Sequence, residues 1–150
     1  MREQELTASS HDESVQISTF YLGDTLCGID IDLVQEINGD LAFTPVPLAD
    51  DSVLGIMNLR GQIVTVIDQG MKIGFPPFKK TGDSRVVIVR SGNEHIGVVV
   101  DKVKEVVTVP RSAISKPPSN IKGSQGKFFS GVIQTEKHEL LALLDIDEIL

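Results

Sequence analysis

The apolar positions of this chain come in short runs. Some alternate with polar residues and some are unbroken β-branched stretches, and nearly all stop at Gly, Asn, Asp or Pro. From Gln16, Ile17, Thr19 and Tyr21 alternate with Ser18, Phe20 and Leu22, which predicts a strand. Gly23-Asp24-Thr25 predicts a turn and Leu26 to Ile31 a return strand. Asp32, with Gln35 three residues on, reads as the N-cap of a short helical turn over Leu33 to Ile37, ended by Asn38-Gly39-Asp40. Thr44-Pro45-Val46-Pro47 reads as extended, because each proline fixes its own φ and disfavours helix before it. Val53 to Met57 and Ile63 to Ile67 predict a hairpin around a tight turn, Asn58-Leu59-Arg60-Gly61. Asn tolerates left-handed backbone there and Gly has no Cβ to clash. One cation, Arg60, sits at the tip. Asp68 then reads as the cap of a short helix, Gln69 to Ile73, stopped by Gly74.

Residues 75–84 read as a linker, after which the pattern starts again. Arg85 to Val89 and Ile96 to Val100 predict strands around a turn at Ser91 to Glu94, with Asp101 as a cap before Lys102 to Val107. Residues 115–127 read as a loop rich in Ser, Pro, Gly and Lys. Phe128 to Gln134 and Leu140 to Leu144 predict strands around Thr135 to Glu139, and Asp145 caps a last turn, Ile146 to Leu150. Residues 1–14 have almost no apolar content and read as a flexible tail.

The halves superimpose along the sequence. At an offset of 69, Gly23 meets Gly92, Gly28 meets Gly97, Ile31 meets Val100, Asp32 meets Asp101, Val34 meets Val103, Glu36 meets Glu105 and Ile37 meets Val106. At an offset of 76, Gly55 meets Gly131; at 77, Ile67 meets Leu144 and Asp68 meets Asp145. The matches fall on turn glycines, strand apolars and caps, the marks of a repeated unit. The fold class that follows is mainly all-β: two small five-stranded β-barrels related by the repeat, with short helical turns, one over about 15–74 and one over 85–150. Barrels leave fewer exposed strand edges than one open sheet.

Composition narrows the function. The 150 residues are 41% hydrophobic, enough for a core, and no apolar run is long enough for a membrane span. The polar N-terminus carries no signal-peptide core, so a soluble protein of the cytoplasm with no direct membrane insertion is expected. A net charge of −7 with no tryptophan argues against a nucleic-acid partner. The single cysteine, Cys27, lies in an apolar strand pattern and reads as a core residue. His11, His95 and His138 are scattered, so neither a metal site nor a cofactor is expected.

Candidate chemistry is sparse. Asp68 and Asp145 stand at matching places in two β-rich halves, as the paired carboxylates of an aspartic hydrolase would. However, Asp68-Gln69-Gly70 lacks the hydroxyl of an Asp-Thr/Ser-Gly signature, and Asp145-Ile146-Asp147 lacks the Gly as well. Helix N-caps account for both residues better, and catalysis is a distant alternative. What remains is binding. Glu36 and Arg60 are opposite charges on different elements, open to reading as a pair or as two solvated side chains.

Gly55-Ile56-Met57-Asn58-Leu59-Arg60-Gly61, with an apolar strand running to Asp68, resembles the most recognisable segment of the CheW-like family. Phe20-Tyr21-Leu22-Gly23, Ile31 to Ile37, Thr44-Pro45-Val46-Pro47, Gly97 to Val103 and Leu144-Asp145-Ile146 are similar to other family segments in the same order, from about 15 to 150. The resemblance implies two five-stranded barrels and no enzyme. It implies an adaptor that couples the histidine kinase CheA to the cytoplasmic tips of methyl-accepting chemoreceptors in bacterial chemotaxis. The kinase's regulatory domain would dock barrel to barrel. A receptor helical hairpin would lie in the seam between barrels, touching Ile31, Val34 and Ile37 from one half and Val98, Val100 and Val103 from the other. Glu36 and Arg60 would set that receptor-facing surface. A scaffold of another chemosensory pathway, such as pilus motility, is the alternative. The chain departs from the family at Gln69-Gly70, where Leu is usual, and over 115–127.

Overall fold

The computed structural model describes residues 13–116 and 128–149. The expected tail therefore lies outside the described residues except for Glu13 and Ser14, as does most of the 115–127 loop. Among the described residues ten strands form: β1 (Ser14–Leu22), β2 (Thr25–Asp30), β3 (Val34–Asn38), β4 (Val53–Leu59), β5 (Gln62–Ile67), β6 (Arg85–Ser91), β7 (Glu94–Val100), β8 (Lys102–Pro110), β9 (Phe129–Gln134) and β10 (Leu140–Leu144). Two four-residue helices, α1 (Gln69–Lys72) and α2 (Ile146–Ile149), follow Asp68 and Asp145. Single 3-10 turns lie at Ile31–Leu33 and Arg111–Ala113. Among the described residues, no helix is long and apolar enough to cross a membrane.

The strands make two five-stranded sheets, ordered β8-β1-β2-β10-β9 and β3-β6-β7-β5-β4. Each sheet takes strands from both halves of the sequence, which corrects the expected division at 75–84. The crossings occur where helical turns were expected. Asp30, not Asp32, caps the first one, accepting from the Asp32 N–H at 3.0 Å, and the chain then leaves the first sheet for the second. Val34 to Asn38 forms β3 rather than helix because it pairs with β6, Val34 facing Val89 and Ile37 facing Val87. Lys102 to Val107 is likewise strand, the start of β8, which runs antiparallel to β1. A run of five or six residues fits either period, and pairing to a neighbouring strand overrides so weak a local preference.

Among the described residues neither ladder closes fully, and one antiparallel bridge spans the gap in each sheet. Thr44 exchanges two backbone hydrogen bonds of 2.8 Å with Ile56 on β4. Ser115 does the same with Val132 on β9, at 2.9 and 2.8 Å. Beside each bridge is a glycine that the repeat had matched. A Cβ on Gly55 would strike the carbonyl of Thr44, and one on Gly131 would stand 2.5 Å from the Ile114 Cγ2. Close backbone approach excludes a side chain at Gly55, whereas at Gly131 the Ile114 side chain fills the space, with the Ser115 carbonyl at 3.1 Å.

Three apolar clusters hold the sheets. Val64, Val66, Val86, Ile88 and Val99 fill the curl of the second sheet. Val15, Ile17, Leu26, Ile133 and Leu141 fill that of the first. The largest cluster lies between the sheets and includes Phe20, Cys27, Ile29, Val87, Val89, Val98, Val100 and Leu144. Strand alternation explains the division: on β6, Val86 and Ile88 point one way and Val87 and Val89 the other.

Candidate functional site

Strands β4 and β5 meet in a two-residue turn in which both Arg60 (φ +52°) and Gly61 (φ +84°) have positive φ. Such turns match the right-handed twist of the strands they join. The left-handed non-glycine residue is thus Arg60, not Asn58. Asn58 remains in β4 and braces the turn with its side chain, its Oδ1 accepting from the Gly61 N–H at 2.8 Å. Asn-Leu-Arg-Gly is therefore one unit: a brace, a strand end, a projecting cation and a glycine.

The turn throws Arg60 across the gap between the two edges of its sheet. Its Nη1 donates to Oε1 of Glu36 on β3 at 2.5 Å. The Arg60 side chain is 76% exposed and that of Glu36 21% exposed. The bond joins β3 and the β4–β5 tip on the edges that the Thr44–Ile56 bridge also joins. Exposed apolar residues neighbour the pair in sequence: Leu33 and Ile37 on the β3 side, and Ile63 on β5 at 62% exposure. The result is a charged contact held on paired backbone, with Ile37 turned to the opposite face of β3 from Glu36.

The other expected contacts divide. Val98 and Val100 are buried in the cluster between the sheets and cannot meet a partner, which corrects their assignment. β7 is the middle strand of its sheet, so both of its edges are paired, and its faces are covered by the cluster between the sheets on one side (Val98, Val100) and the second sheet's own cluster on the other (Val99). The seam expected to hold a helix is itself core. Val34 and Val103 pack half-buried against that cluster, and Ile31 is half-buried in the 3-10 turn. Ile37 alone of the apolar candidates is exposed. Asn58 is exposed, Leu59 packs on the second sheet's cluster, and Gly61 has open space around it.

The sequence reading missed Ile63, Val106 and Leu140 as exposed apolar residues, although the repeat could have found them. Ile37 and Val106 are repeat equivalents, 42% and 47% exposed. Ile63 and Leu140 are equivalents too, 62% and 63% exposed. The two tips are nevertheless not alike. The β9–β10 turn is longer, with His138 at φ +64°, and its Glu139 accepts a 2.8 Å hydrogen bond from the hydroxyl of Tyr21 on β1. That bond, more than burial, holds the Tyr21 phenol above its ordinary value.

Asp68 and Asp145 are structural. Asp68 is buried; Oδ1 accepts from the Met71 N–H and Oδ2 from the Phe78 N–H, tying α1 to the linker. Asp145 accepts from the Glu148 N–H at 3.3 Å. Among the described residues, no group of His, Cys, Asp and Glu is placed to hold a metal ion.

Residues 16–150 match the CheW-like domain family. The chemotaxis protein CheW of Treponema pallidum is 31% identical over 143 residues, 93% of this chain and 84% of that protein. CheW of Helicobacter pylori is 28% identical over 99% of this chain and 92% of its own length. The crystal structure of the scaffolding protein TtCheW from Thermoanaerobacter tengcongensis superimposes with a TM-score of 0.81 at 31% identity, over 89% of this chain and 90% of that one.

Proposed function

The chain belongs to the CheW-like family, and from that membership we propose that it is a non-catalytic adaptor of bacterial chemotaxis. It works in the cytoplasm, where it holds the regulatory domain of the histidine kinase CheA together with the cytoplasmic tips of methyl-accepting chemoreceptors. The carboxylates that might have suggested an enzyme are spent on backbone N–H groups.

The observation that carries the receptor side of this reading is the Glu36–Arg60 pair across the gap between β3 and the β4–β5 tip, on elements that also expose Ile37 and Ile63. A receptor helix presents apolar side chains along one face and polar ones at its border. Ile37 and Ile63 meet the apolar stripe, and the Arg60 guanidinium, fixed by Glu36, meets the border. Ile31, Val34 and Val103 are half-buried, Val34 and Val103 against the cluster between the sheets. Val98 and Val100 have no part in it.

A double-mutant cycle on binding to a receptor-tip fragment tests the pair. Glu36→Ala and Arg60→Ala each weaken binding, and the double variant loses less than their sum, with a coupling of about 1 kcal/mol. Additive losses would remove the pair from the site. A pull-down in which neither the kinase regulatory domain nor the receptor tip is retained would overturn the adaptor reading as a whole.

A further inference from the structure

Asn38 closes β3, and Gly39 and Asp40 follow it, both exposed and outside any strand. It is the last rung of the ladder to β6, opposite Val86. Strand ends open more readily than strand middles. Asparagine is chemically labile, because the backbone nitrogen of the next residue can attack its side-chain carbonyl. Of the asparagines at 38, 58, 93 and 120, Asn38 alone precedes glycine, which has no side chain to shield that nitrogen.

The surroundings of Asn38 favour the attack. Asp40 N–H donates to Oδ1 of Asn38 at 2.7 Å. A donor at that oxygen polarises the carbonyl and meets the negative charge that develops there as a nucleophile adds. Asp40 is itself held, its Oδ1 accepting from the Ala42 N–H at 3.0 Å. The Arg85 side chain lies beside Gly39, with its Cζ 3.9 Å from where a Cβ on Gly39 would stand. Its Nη1 donates to the Gly82 and Ser84 carbonyls, neither of them charged, so its positive charge is left to favour an anion at Gly39.

We propose that Asn38 and Gly39, assisted by the Asp40 N–H and the Arg85 guanidinium, form a self-modification site. The Gly39 nitrogen gives its proton to solvent and attacks Cγ of Asn38. The bond from Cγ to the side-chain nitrogen breaks, ammonia leaves, and a five-membered succinimide closes. Water then opens the ring. Addition at Cγ leaves aspartate; addition at the main-chain carbonyl leaves isoaspartate, which lengthens the main chain by one methylene where the ladder ends. Either product takes the net charge one unit beyond −7. Residues 36 and 38 face the same side of β3, about 7 Å apart, so the aspartate product puts a second carboxylate on the face that carries Glu36. No step restores the amide, and the change accumulates with the age of the chain.

The full chain, aged at mildly alkaline pH and then digested, is mapped by mass spectrometry, and isoaspartate is counted with an isoaspartyl methyltransferase. Asn38 converts several-fold faster than Asn58 and Asn93, and a more acidic form appears on ion exchange at the same pace. Gly39→Ala slows the conversion several-fold. Gly39 does not have positive φ, and nothing lies closer than 3.7 Å to the added methyl, so this variant folds. Arg85→Gln also slows it, and Arg85→Lys, which keeps the charge, does so less. Asn38 surviving as long as Asn58 and Asn93, or a rate not lowered by Gly39→Ala or by Arg85→Gln, would overturn the proposal. No partner enters the assay, so its outcome is separate from that of the adaptor reading.

Discussion

Gly55→Ala should be far more costly than its one added methyl suggests. Gly55 sits at φ +155°, where L residues are rare, and its Cβ would strike the Thr44 carbonyl, which is backbone and cannot rotate away. Relief requires Thr44 to move, and Thr44 is the residue that spans the gap in its sheet through two hydrogen bonds of 2.8 Å to Ile56. Each such bond contributes about 1 kcal/mol net, so losing both costs about 2. Residual backbone strain adds about 1 or more, for a total of about 3 to 4 kcal/mol. Gly23→Ala is the control. Gly23 also has positive φ, +60°, but nothing lies within 4 Å of its virtual Cβ. It should cost only the left-handed penalty, about 1–2 kcal/mol. Urea unfolding compares them directly, and a difference of about 2 kcal/mol separates their midpoints by about 1 M or more. Amide exchange supplies a local check, because the Ile56 N–H should lose protection in Gly55→Ala and keep it in Gly23→Ala. Equal losses in the two variants, or an Ile56 amide still protected in Gly55→Ala, would refute the idea that this glycine exists to let the bridge form.

Other consequences follow from single contacts. Gln69 is fully buried, with Nε2 donating to the Val99 carbonyl at 2.8 Å and Oε1 without a partner. Gln69→Leu removes the unpaired oxygen but orphans the Val99 carbonyl, so calorimetry should place it within about 1 kcal/mol of the parent; a loss beyond about 3 would mean that the amide is well satisfied. Tyr21 is the chain's one tyrosine and there is no tryptophan, so phenolate absorbance reads it alone. Its value is raised above 10 chiefly by the bond to Glu139, so the stability this bond contributes is fully present below pH 10 and is lost as pH climbs through the raised value. Glu139→Gln should bring the absorbance midpoint down, and an unmoved midpoint would deny the bond. Burial pushes the Cys27 thiol up to about 12, so a disulfide reagent at pH 8 should react only when the core opens, at a rate that rises with urea. Rapid modification of the native chain would contradict that burial.

The hairpins were legible because each is local. Turn glycines and β-branched runs mark β1–β2, β4–β5 and β6–β7, and two apolar runs around the polar stretch Thr135 to Glu139 mark β9–β10, each within about twenty residues of sequence. The two crossings were not. Val34 to Asn38 and Lys102 to Val107 have too few residues to distinguish a strand from a helical turn, and what decides is pairing with β6 and β1, which are distant in sequence. The mistaken division at 75–84 follows from the same cause. A repeat reveals two copies of a unit but not whether each copy folds on itself or lends strands to the other. Here each half lends two strands or three to each sheet, and the seam becomes the largest apolar cluster. Val98 and Val100 looked available because alternation says which residues share a face, but not whether another sheet covers that face.

The tips show why the repeat is informative where it breaks. Both sheets have a bridge and a close-packed glycine, and both expose an equivalent apolar pair. At the second tip the polar group turns inward, Glu139 accepting from Tyr21. At the first, Arg60 turns outward and takes Glu36. Stability does not account for the arrangement at the first tip. An exposed ion pair contributes about 0–1 kcal/mol, and the positive φ of Arg60 costs about 1–2, so the two roughly cancel. The net effect is geometric: a guanidinium that would sweep a wide arc on a free side chain is held at one place by Glu36. A pair that adds so little to the fold gives little to read on unfolding, so the Glu36–Arg60 cycle is read on partner binding.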